Sequence, residues 1–383
     1  MADTENNKNS NSPASTSAPA LRFPGFTEPW QKCRLGDYIR IFSGESPNRI
    51  NSEYDKIPYY KVEQLNWCEK YLGETPYLSQ RGKNILPEGC VVFSKRGAAI
   101  LTNKVRMNLF PINIDTNLMG IKADNSFILD QYLFYFILRA RLNRIADTST
   151  IPQINNIHIN PITIYVPSLA EQEIITKFLA LLDERIATQR RLIEDLEKLM
   201  SSIVDRIFSD VDGEVVKFRD ILEISTQRND GKADYRILSA SQEFGMIERD
   251  SLDIDIKAEA KSVKMYKRVH PGDYVLHLRS FQGGLAFAEV EGICSPAYTI
   301  LRPNKRLEYG YLKEYFNSSK FIKSLVLVTY GIRDGRSINV EEFLDMNISI
   351  HHKNKQAEIV KSLSMLSDKL NVEASILNRY EQQ

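Results

Sequence analysis

Polar and basic side chains gather in two short, glycine-containing stretches of the sequence, SKRGAAILTNKVRMN and LRSFQGG. Each follows an apolar run with the composition of a buried strand. Arginine and lysine bind phosphate, whereas asparagine, glutamine, serine and threonine hydrogen-bond to base edges. The candidates in the first stretch are Ser94, Lys95, Arg96, Thr102, Asn103, Lys104 and Arg106, and those in the second are Arg279, Ser280 and Gln282.

A second pair of polar loops precedes the last predicted strand of each half of the chain. The candidates there are Thr148, Gln153 and Asn155 in the first half, and Arg333, Arg336 and Asn339 in the second. Any one of these residues is more simply a solvated surface residue. Their recurrence at matching places in both halves favours a shared role, and the chemistry indicated is contact with phosphates and bases.

Catalytic motifs are missing from the sequence. It contains no GxxxxGK[ST], GxGxxG, GxSxG or HExxH pattern, and no Asn/Asp-Pro-Pro-aromatic methyltransferase motif. Asp255, Glu259 and Lys261 formally resemble a nuclease metal site, but they lie in a dense charge run that favours a solvated face. The five histidines are scattered. We therefore expect no catalytic residue, no metal site and no cofactor in this chain.

Composition sets further limits. The net charge is only +1, but residues 21–167 carry 18 Lys+Arg against 13 Asp+Glu, whereas residues 214–350 carry 20 of each. Any nucleic-acid surface must therefore come from local clustering. No run reaches the roughly 18 apolar residues of a membrane span, and no apolar signal segment opens the chain. We expect a cytoplasmic protein of two or three domains.

A long helix is predicted over residues 168–208, because apolar residues recur at alternating spacings of four and three. Ser168 is the expected cap, with Glu171 placed as in a capping box. The spacing is typical of a coiled-coil seam. Its members are Ile175, Leu179, Leu182, Ile186, Gln189, Ile193, Leu196 and Met200.

The same seam recurs near the end of the chain, over residues 353–383, with Asn354 as a possible cap. A shift of 184 residues places Gln189 on Glu373, so that even the polar interruption is repeated. Two unrelated amphipathic helices are the alternative, but the repeat favours a coiled coil. The second seam comprises Ile359, Leu363, Leu366, Leu370, Glu373 and Leu377.

The globular segments repeat as well. KCRLGDYIRI is answered by VKFRDILEI, and DQYLFYFIL by YGYLKEYFN. Strands are predicted at Cys90 to Ser94 and Ile162 to Val166, and a helix at Asp130 to Ile145. The fold class expected is α+β: a disordered tail over 1–20, mixed domains over 21–167 and 214–350, and the two helices.

Connectivity predicts how the helices pair. A domain of about 135 residues is roughly 35–40 Å across, from its expected radius of gyration, whereas a 40-residue helix is about 60 Å long. The second domain joins the end of the first helix to the start of the second. We therefore expect an antiparallel pair and a pseudo-twofold molecule with the two domains at opposite ends.

This layout, with RFPGF, LGD and VPSLAEQ at the expected places, resembles the specificity (S) subunits of type I restriction-modification systems. The resemblance covers the chain from about Leu21 to its end. It implies that each globular domain is a target recognition domain reading one half of an asymmetric bipartite site on double-stranded DNA. The helices would set half-site spacing and dock two modification (methyltransferase) subunits.

The resemblance also assigns the chemistry to partner subunits. The modification subunits would bring S-adenosylmethionine, and restriction (translocase and endonuclease) subunits would bring ATP and magnesium. Reading heads some 50–60 Å apart would address half-sites separated by one to one and a half DNA turns, at about 3.4 Å per base pair. The competing hypothesis is a coiled-coil adaptor whose two domains bind protein or glycan ligands.

Overall fold

The computed structural model describes residues 19, 21–46, 50–51, 56–147, 151–209, 211–231, 235–241, 244–249, 263–277, 280–330 and 337–382. The chain divides into two compact units, residues 1–184 (unit 1) and 185–383 (unit 2). The division falls inside the long helix. Apart from position 19, the predicted tail over residues 1–20 lies outside the described residues, as do Asp255, Glu259 and Lys261.

Unit 1 combines short antiparallel strands with helices. Its strands are β1 (Gln31–Arg34), β2 (Ile39–Ser43), β3 (Ile57–Tyr60), β4 (Leu78–Ser79), β5 (Val91–Ser94), β6 (Val105–Met107), β7 (Asn113–Ile114), β8 (Leu118–Ala123) and β9 (Thr163–Val166). Its helices are α1 (Asp130–Ala140), α2 (Asn156–Ile159) and the first part of α3 (Leu169–Ile207).

Unit 2 repeats this plan. Its strands are β10 (Gly213–Lys217), β11 (Leu222–Ser225), β12 (Leu238–Ser241), β13 (Gly245–Glu248), β14 (Lys267–Val269), β15 (Tyr274–Leu276), β16 (Ala286–Phe287), β17 (Gly292–Cys294), β18 (Thr299–Pro303), β19 (Thr329–Tyr330), β20 (Ser337–Ile338) and β21 (Asn347–His351). Its helices are the rest of α3, α4 (Ser280–Gly283), α5 (Lys313–Asn317), α6 (Ser319–Ser324), α7 (Val340–Asp345) and α8 (Lys353–Glu381).

Sheet order confirms the tandem repeat and the α+β class. The four-stranded sheet of unit 1 runs β2-β8-β5-β6, and that of unit 2 runs β11-β18-β15-β16. In each unit the first strand pairs antiparallel with the last, β1 with β9 and β10 with β21. The registers also correspond, since Val91 lies opposite Met107, and Tyr274 lies opposite Phe287.

Both faces of β5 are buried, which explains its unbroken apolar sequence. Val91 and Phe93 join the main core of unit 1, which packs against α1. Val92 points to the other side and joins a smaller core with Tyr60 and Leu86. A single strand therefore connects two cores and holds the loop that follows it.

Helix α1 ends five residues earlier than predicted. Its last helical residue is Ala140, and Arg141 adopts a left-handed φ of 52°. The side chain of Asn103 causes this ending, because its amide donates to Leu138 O at 2.9 Å and accepts from Leu142 N at 3.0 Å. These bonds replace the helical hydrogen bonds that the next turn would have supplied.

The two long helices begin differently. Ser168 Oγ accepts from Glu171 N at 3.4 Å, as expected of a cap, but the Glu171 carboxylate bonds to Arg22 and Trp30 instead of closing a capping box. Helix α8 has His352 at its N-cap with no side-chain capping bond. The expectation that Asn354 caps this helix was wrong, since Asn354 lies inside the first turn.

Within unit 2, residues 185–207 of α3 run antiparallel to α8. Arg185 bonds to Tyr380 at 3.2 Å, near one end of the pair. Met200 and Val204 share a core with Ile359 and Leu363, near the other end. All fourteen predicted seam residues, in both units, are buried or half-buried. This burial is consistent with the heptad spacing, and the role of these residues as a coiled-coil seam stays a prediction.

Candidate nucleic-acid interface

Three loops of unit 1 meet at the end of β5. Lys95 N donates to Asn117 O at 2.8 Å, which joins the loop before β8. On the other side, Ile154 N donates to Lys95 O and Gly97 N donates to Pro152 O, both at 2.8 Å. These main-chain bonds assemble a surface, here called the basic loop cluster, from residues 95–97, 115–117 and 151–155.

The cluster presents two adjacent cations. Arg96 is exposed, and Lys95 beside it is half-buried. Burial lowers the pKa of the Lys95 ammonium, and the neighbouring Arg96 guanidinium lowers it further, with partial relief from Asp115. Lys95 and Arg96 carry like charges, and the Lys95 ammonium is partly desolvated. Holding the two side chains next to each other therefore costs free energy. A polyanion bound at the cluster would offset this cost, which makes the pair suited to phosphate.

Several predicted residues are occupied in building the loop. Ser94 is buried, and its hydroxyl donates to Arg96 O at 3.1 Å. Asn103 holds the end of α1, and Thr102 Oγ1 donates to Ala99 O at 2.7 Å. Because these polar groups bond within the protein, their role in the described conformation is to shape the loop.

The remaining candidates of unit 1 differ in orientation. Lys104 bonds to Asn66, and Arg106 donates to Leu65 O at 3.0 Å, so both side chains face the turn that precedes Trp67. Gln153 is half-buried, and its main chain pairs in both directions with Asp147 at 2.9 Å. Asn155 is exposed beside the cluster, and its main-chain N donates to His158 Nδ1 at 3.0 Å. Thr148 lies outside the described residues.

Sequence reasoning missed Thr116 and Asn117. Thr116 is exposed and Asn117 half-buried, in the turn that binds the main chain of Lys95. The signal was the Asp-Thr-Asn turn before β8, in which Asn117 N donates to Asp115 Oδ1 at 2.7 Å. These side chains add neutral hydrogen-bonding groups beside the two cations.

In unit 2, Arg279, Arg333 and Arg336 lie outside the described residues. Ser280 is fully buried, and its hydroxyl accepts from His277 N at 2.9 Å. Asn339 caps α7 by accepting from the main-chain amides of the first turn, so its side chain is structural. Gln282 is exposed on α4, at the place equivalent to the basic loop cluster.

Each unit fastens its long helix to its globular part through one buried glutamine. Gln172 Oε1 accepts from Leu129 N at 2.8 Å, and its Nε2 donates to Phe127 O and Pro167 O at 2.9 and 3.0 Å. Sequence reasoning did not single this residue out, although it ends the VPSLAEQ segment.

Gln356, 184 positions later, makes the corresponding bonds in unit 2. It accepts from Glu308 N at 2.8 Å and donates to Arg306 O and His351 O at 3.1 and 2.8 Å. In unit 1 the partners are main-chain atoms of the segment before α1 and of Pro167, which directly follows β9. In unit 2 they are main-chain atoms of the segment before α5 and of the last residue of β21. The globular part of each unit is therefore fastened to its long helix in the same way.

A buried polar pair interrupts the helix seam. Gln189 Nε2 donates to Glu373 Oε2 at 2.6 Å and to Glu373 O at 3.1 Å. Lys369 Nζ also binds the carboxylate, at 2.9 Å. Hydrogen bonds from Lys369 and Gln189 lower the pKa of Glu373. The two polar seam positions predicted to be equivalent are therefore in direct contact.

No group of three or more His, Cys, Asp or Glu side chains in the described part of the chain is arranged to hold a metal ion. Among the described helices, none combines the length and the apolar character that a membrane span requires.

Comparison with protein families gives a match over residues 27–198 to the type I restriction modification DNA specificity domain. Two similar curated proteins come from Methanocaldococcus jannaschii. The putative type I restriction enzyme MjaX specificity subunit is 23% identical over 188 residues, 48% of this chain and 43% of that protein. The type I restriction enzyme MjaVIII specificity subunit is 25% identical over 232 residues, 54% and 51% respectively. The matches thus span about half the length of each relative.

Solved structures share the fold. A chain from a type I R-M system complex matches with a TM-score of 0.58 and 17% identity, over 95% of this chain and 96% of that one. The S subunit of a type I restriction-modification system from M. genitalium matches with a TM-score of 0.54 and 14% identity, over 92% and 93%. The likeness therefore extends beyond unit 1 to nearly the whole chain.

Proposed function

Because residues 27–198 match the type I restriction modification DNA specificity domain and the similar curated proteins are specificity subunits, we propose that this chain is the DNA-recognition subunit of a type I restriction-modification complex. Each unit reads one half of a bipartite, asymmetric DNA site. The chain itself carries out no chemistry, and it acts in the cytoplasm, where host DNA lies.

The basic loop cluster is the observation that carries this proposal. Lys95 and Arg96 stand side by side, next to the polar side chains of Thr116, Asn117 and Asn155. In protein–DNA interfaces, cations on phosphates fix position, and neutral amide and hydroxyl groups on base edges give sequence preference. The cluster supplies both kinds of group on loops fastened to a rigid sheet.

Different half-sites follow from the differences between the units. The scaffold strands correspond in order and register, but the loop after β5 and the loop after β15 share little sequence. A bipartite site whose two halves differ is the expected target of two such surfaces.

The long helices are proposed to dock two modification subunits, which bring S-adenosylmethionine, and through them restriction subunits that use ATP and magnesium. Helix α3 supports this role, because large apolar side chains outside its seam are exposed. These are Leu169, Ile174, Phe178, Leu181, Leu192 and Leu199, with exposed fractions from 37 to 56%. An exposed apolar stripe of this kind is typical of a protein interface.

The test is to co-express the chain with the neighbouring modification subunit and to map N6-methyladenine across host DNA. One asymmetric bipartite motif should appear, vanish when the chain is omitted, and change in one half when residues 21–167 are exchanged. Methylation that is indifferent to the chain would contradict the proposal and leave the protein- or glycan-binding adaptor.

Variants of the cluster sharpen this test. Lys95→Ala with Arg96→Ala should weaken DNA binding by the complex and lower the slope of log K against log salt by about two, because two phosphate contacts are lost. Lys177→Ala with Lys198→Ala, which removes two exposed cations from α3, is the matched control and should leave the slope unchanged. An equal loss in both would show a general charge effect.

A further inference from the structure

Unit 2 contains a groove lined by acidic residues that no part of the proposed DNA reading uses. Two adjoining cavities of about 410 and 210 Å³ share Glu314 and Asn317 of α5 in their walls. Asp368 of α8 and Glu289 line the first cavity, and Glu197 of α3 lines the second. We call this the acidic trough.

Negative charge in the acidic trough is poorly compensated. Glu289 is paired with Lys313 at 2.7 Å. Among the described residues, no hydrogen bond or ion pair reaches the carboxylate of Glu314 or of Asp368. Burial raises the pKa of the Glu314 carboxyl, and Glu289 raises it further against the opposing effect of Lys313. A cation entering the acidic trough would relieve this unfavourable burial.

The equivalent place in unit 1 can be identified from the two glutamines. Leu129 N donates to Gln172, and Glu308 N donates to Gln356. Tyr135 lies six residues after Leu129, and Glu314 lies six residues after Glu308. On the long helices, Asp183 follows Gln172 by eleven residues, as Ser367 follows Gln356. Tyr135 and Asp183 in unit 1 therefore correspond to Glu314 and Ser367 in unit 2.

An ammonium group fills that place in unit 1. Lys70 Nζ donates to Tyr135 Oη at 2.7 Å and lies 3.8 Å from Asp183 Oδ2. It also lies 4.4, 5.1 and 5.5 Å from the ring centroids of Tyr135, Phe134 and Tyr71. Tyr135 Oη in turn donates to Asp183 at 2.6 Å. Unit 1 thus binds its own cation between a carboxylate and aromatic rings.

Unit 2 has one ammonium at this place, Lys313, which pairs with Glu289 at 2.7 Å and lies 5.8 Å from the ring centroid of Phe287. Glu314 and Asp368 are left without an ion pair among the described residues. Phe244, Phe287 and Tyr309 supply aromatic walls to the acidic trough, and Glu314 and Asp368 supply carboxylates. Phe244 is 64% exposed at the mouth, and its neighbour Gly245 packs against Phe287 O. Nucleic acid is excluded as the occupant because its phosphates would meet carboxylates.

We propose that the acidic trough receives an arginine or lysine side chain from a protein partner, on a segment whose apolar residues pack against the exposed rings of Phe244 and Tyr309. This inference rests on the proposed function, because the partner is then a modification subunit. Unit 1 has closed the same place with Lys70, so the two units present unequal docking surfaces. One of the two modification subunits is held by a charge contact that the other lacks.

The experiment uses the full-length chain co-expressed with the neighbouring modification subunit, with stoichiometry and affinity measured by native mass spectrometry at several salt concentrations. Glu314→Gln with Asp368→Asn should weaken binding of one modification subunit at least tenfold and reduce its salt dependence. Glu88→Gln with Glu173→Gln, in the corresponding groove of unit 1, is the matched control and should leave both affinities unchanged.

A second variant separates occupancy from folding. Phe244→Lys places an ammonium at the mouth of the acidic trough, as Lys70 does in unit 1, and should also displace one modification subunit. Both trough variants should unfold at the same temperature as the wild type or a higher one, since an uncompensated charge has been removed or paired. A lower unfolding temperature would attribute the binding loss to damage.

Equal binding by wild type and both trough variants would overturn the inference while leaving the DNA-recognition role intact. The bipartite methylation motif, mapped in the same cells, reports that role independently. A wild-type chain that retains no modification subunit at any salt concentration would also overturn the inference. If the bipartite methylation motif were absent as well, the proposed function would fail with it.

Discussion

Unit 1 and unit 2 share a scaffold but hardly any charged contact. Their main sheets run β2-β8-β5-β6 and β11-β18-β15-β16, with corresponding registers. Both units bury one glutamine with three main-chain bonds. Their ion pairs, in contrast, differ in at least one partner, as Lys122–Asp130 and Arg302–Asp273 show. The comparison therefore separates the contacts that both units share from the contacts that are specific to one unit.

The glutamine contact persists because its partners are main-chain atoms. Any residue supplies the same carbonyl at positions 127, 167, 306 and 351, and any residue except proline supplies the same amide at positions 129 and 308. Side chains there have in fact diverged, from Phe127 and Leu129 to Arg306 and Glu308. A side chain that binds only backbone is insensitive to such change.

Ion pairs behave differently because both partners can change. Lys122 on β8 pairs with Asp130 at the start of α1, whereas Arg302 on β18 pairs bidentately with Asp273, at 2.9 and 3.0 Å. The basic residues Lys122 and Arg302 stand at equivalent positions of β8 and β18, whereas their acidic partners stand at different positions in the two units. The glycine of the preceding turn is common to both units, since Gly89 has φ +76° and Gly272 has φ +95°. A side chain at Gly89 would meet Asp130, the first residue of α1, and one at Gly272 would meet Tyr309, which precedes α5.

The entries to the two units also differ. In unit 1, Glu171 is fully buried and binds Arg22 and Trp30, and Trp30 packs against Tyr132. In unit 2 the end of α3 takes this place, with Phe208 against Tyr311. Unit 1 therefore needs residues 21–30 to complete a core that unit 2 completes with the long helix.

The largest expected effect comes from the glutamines. Gln172→Leu and Gln356→Leu each leave one buried amide and two carbonyls without a partner, at about 1–3 kcal/mol for each group. Each variant should lose about 4 kcal/mol in denaturant unfolding. Hydrogen exchange should show the loss in unit 1 for the first and in unit 2 for the second. Glu173→Ala, at an exposed neighbouring position, is the control. A large loss of stability for only one of the two glutamine variants would show that Gln172 and Gln356 are not equivalent.

The ion pairs should give unequal losses. Asp273 is buried and accepts from Arg302 and from His270 N, so Asp273→Ala should cost about 3 kcal/mol. Asp130 is less buried and keeps one oxygen without a hydrogen bond, so Asp130→Ala should cost about 1 kcal/mol. Both are measured by urea unfolding of the full chain. Equal costs would mean that the two acids serve their units alike.

A local effect is expected at the entry of unit 1. Glu171→Ala removes the buried carboxylate that holds Arg22 and Trp30, so residues 21–30 should exchange amide hydrogens faster while the strands of unit 1 stay protected. Lys355→Ala, at the equivalent position of unit 2, is exposed and should change nothing. Faster exchange throughout unit 1 would show that the segment is part of the main core.

The smallest effect concerns pH and is confined to unit 2. Burial lowers the pKa of His351 below its ordinary value of 6.5, and Lys355 lowers it further against the opposing effect of Asp212. The unfolded chain then binds this proton more readily than the folded one, so stability is lost as pH falls through about 6.5. His351→Gln should flatten this dependence and His352→Gln should not. In unit 1 the position equivalent to His351 is Pro167, which does not titrate. Unit 1 should therefore lose no stability from this cause.

Periodicity in the sequence predicted the long helices, their seams and the tandem repeat. These features depend on which face of a helix or strand is apolar, and this is visible in a single stretch of chain. Even the contact between Gln189 and Glu373 was indicated, because both interrupt an otherwise apolar seam.

Tertiary structure alone decided which polar residues are available for binding. Ser94 and Asn103 had the right chemistry and the right position in the chain, yet their hydrogen bonds are made inside unit 1. Asn103 also ended α1 early, through a contact with residues about 35 positions away. The same holds for Gln172, whose role depends on main-chain atoms 43 and 45 residues distant. The bonds of Asn103 and Gln172 form only where the fold brings distant segments together, so no local pattern records them.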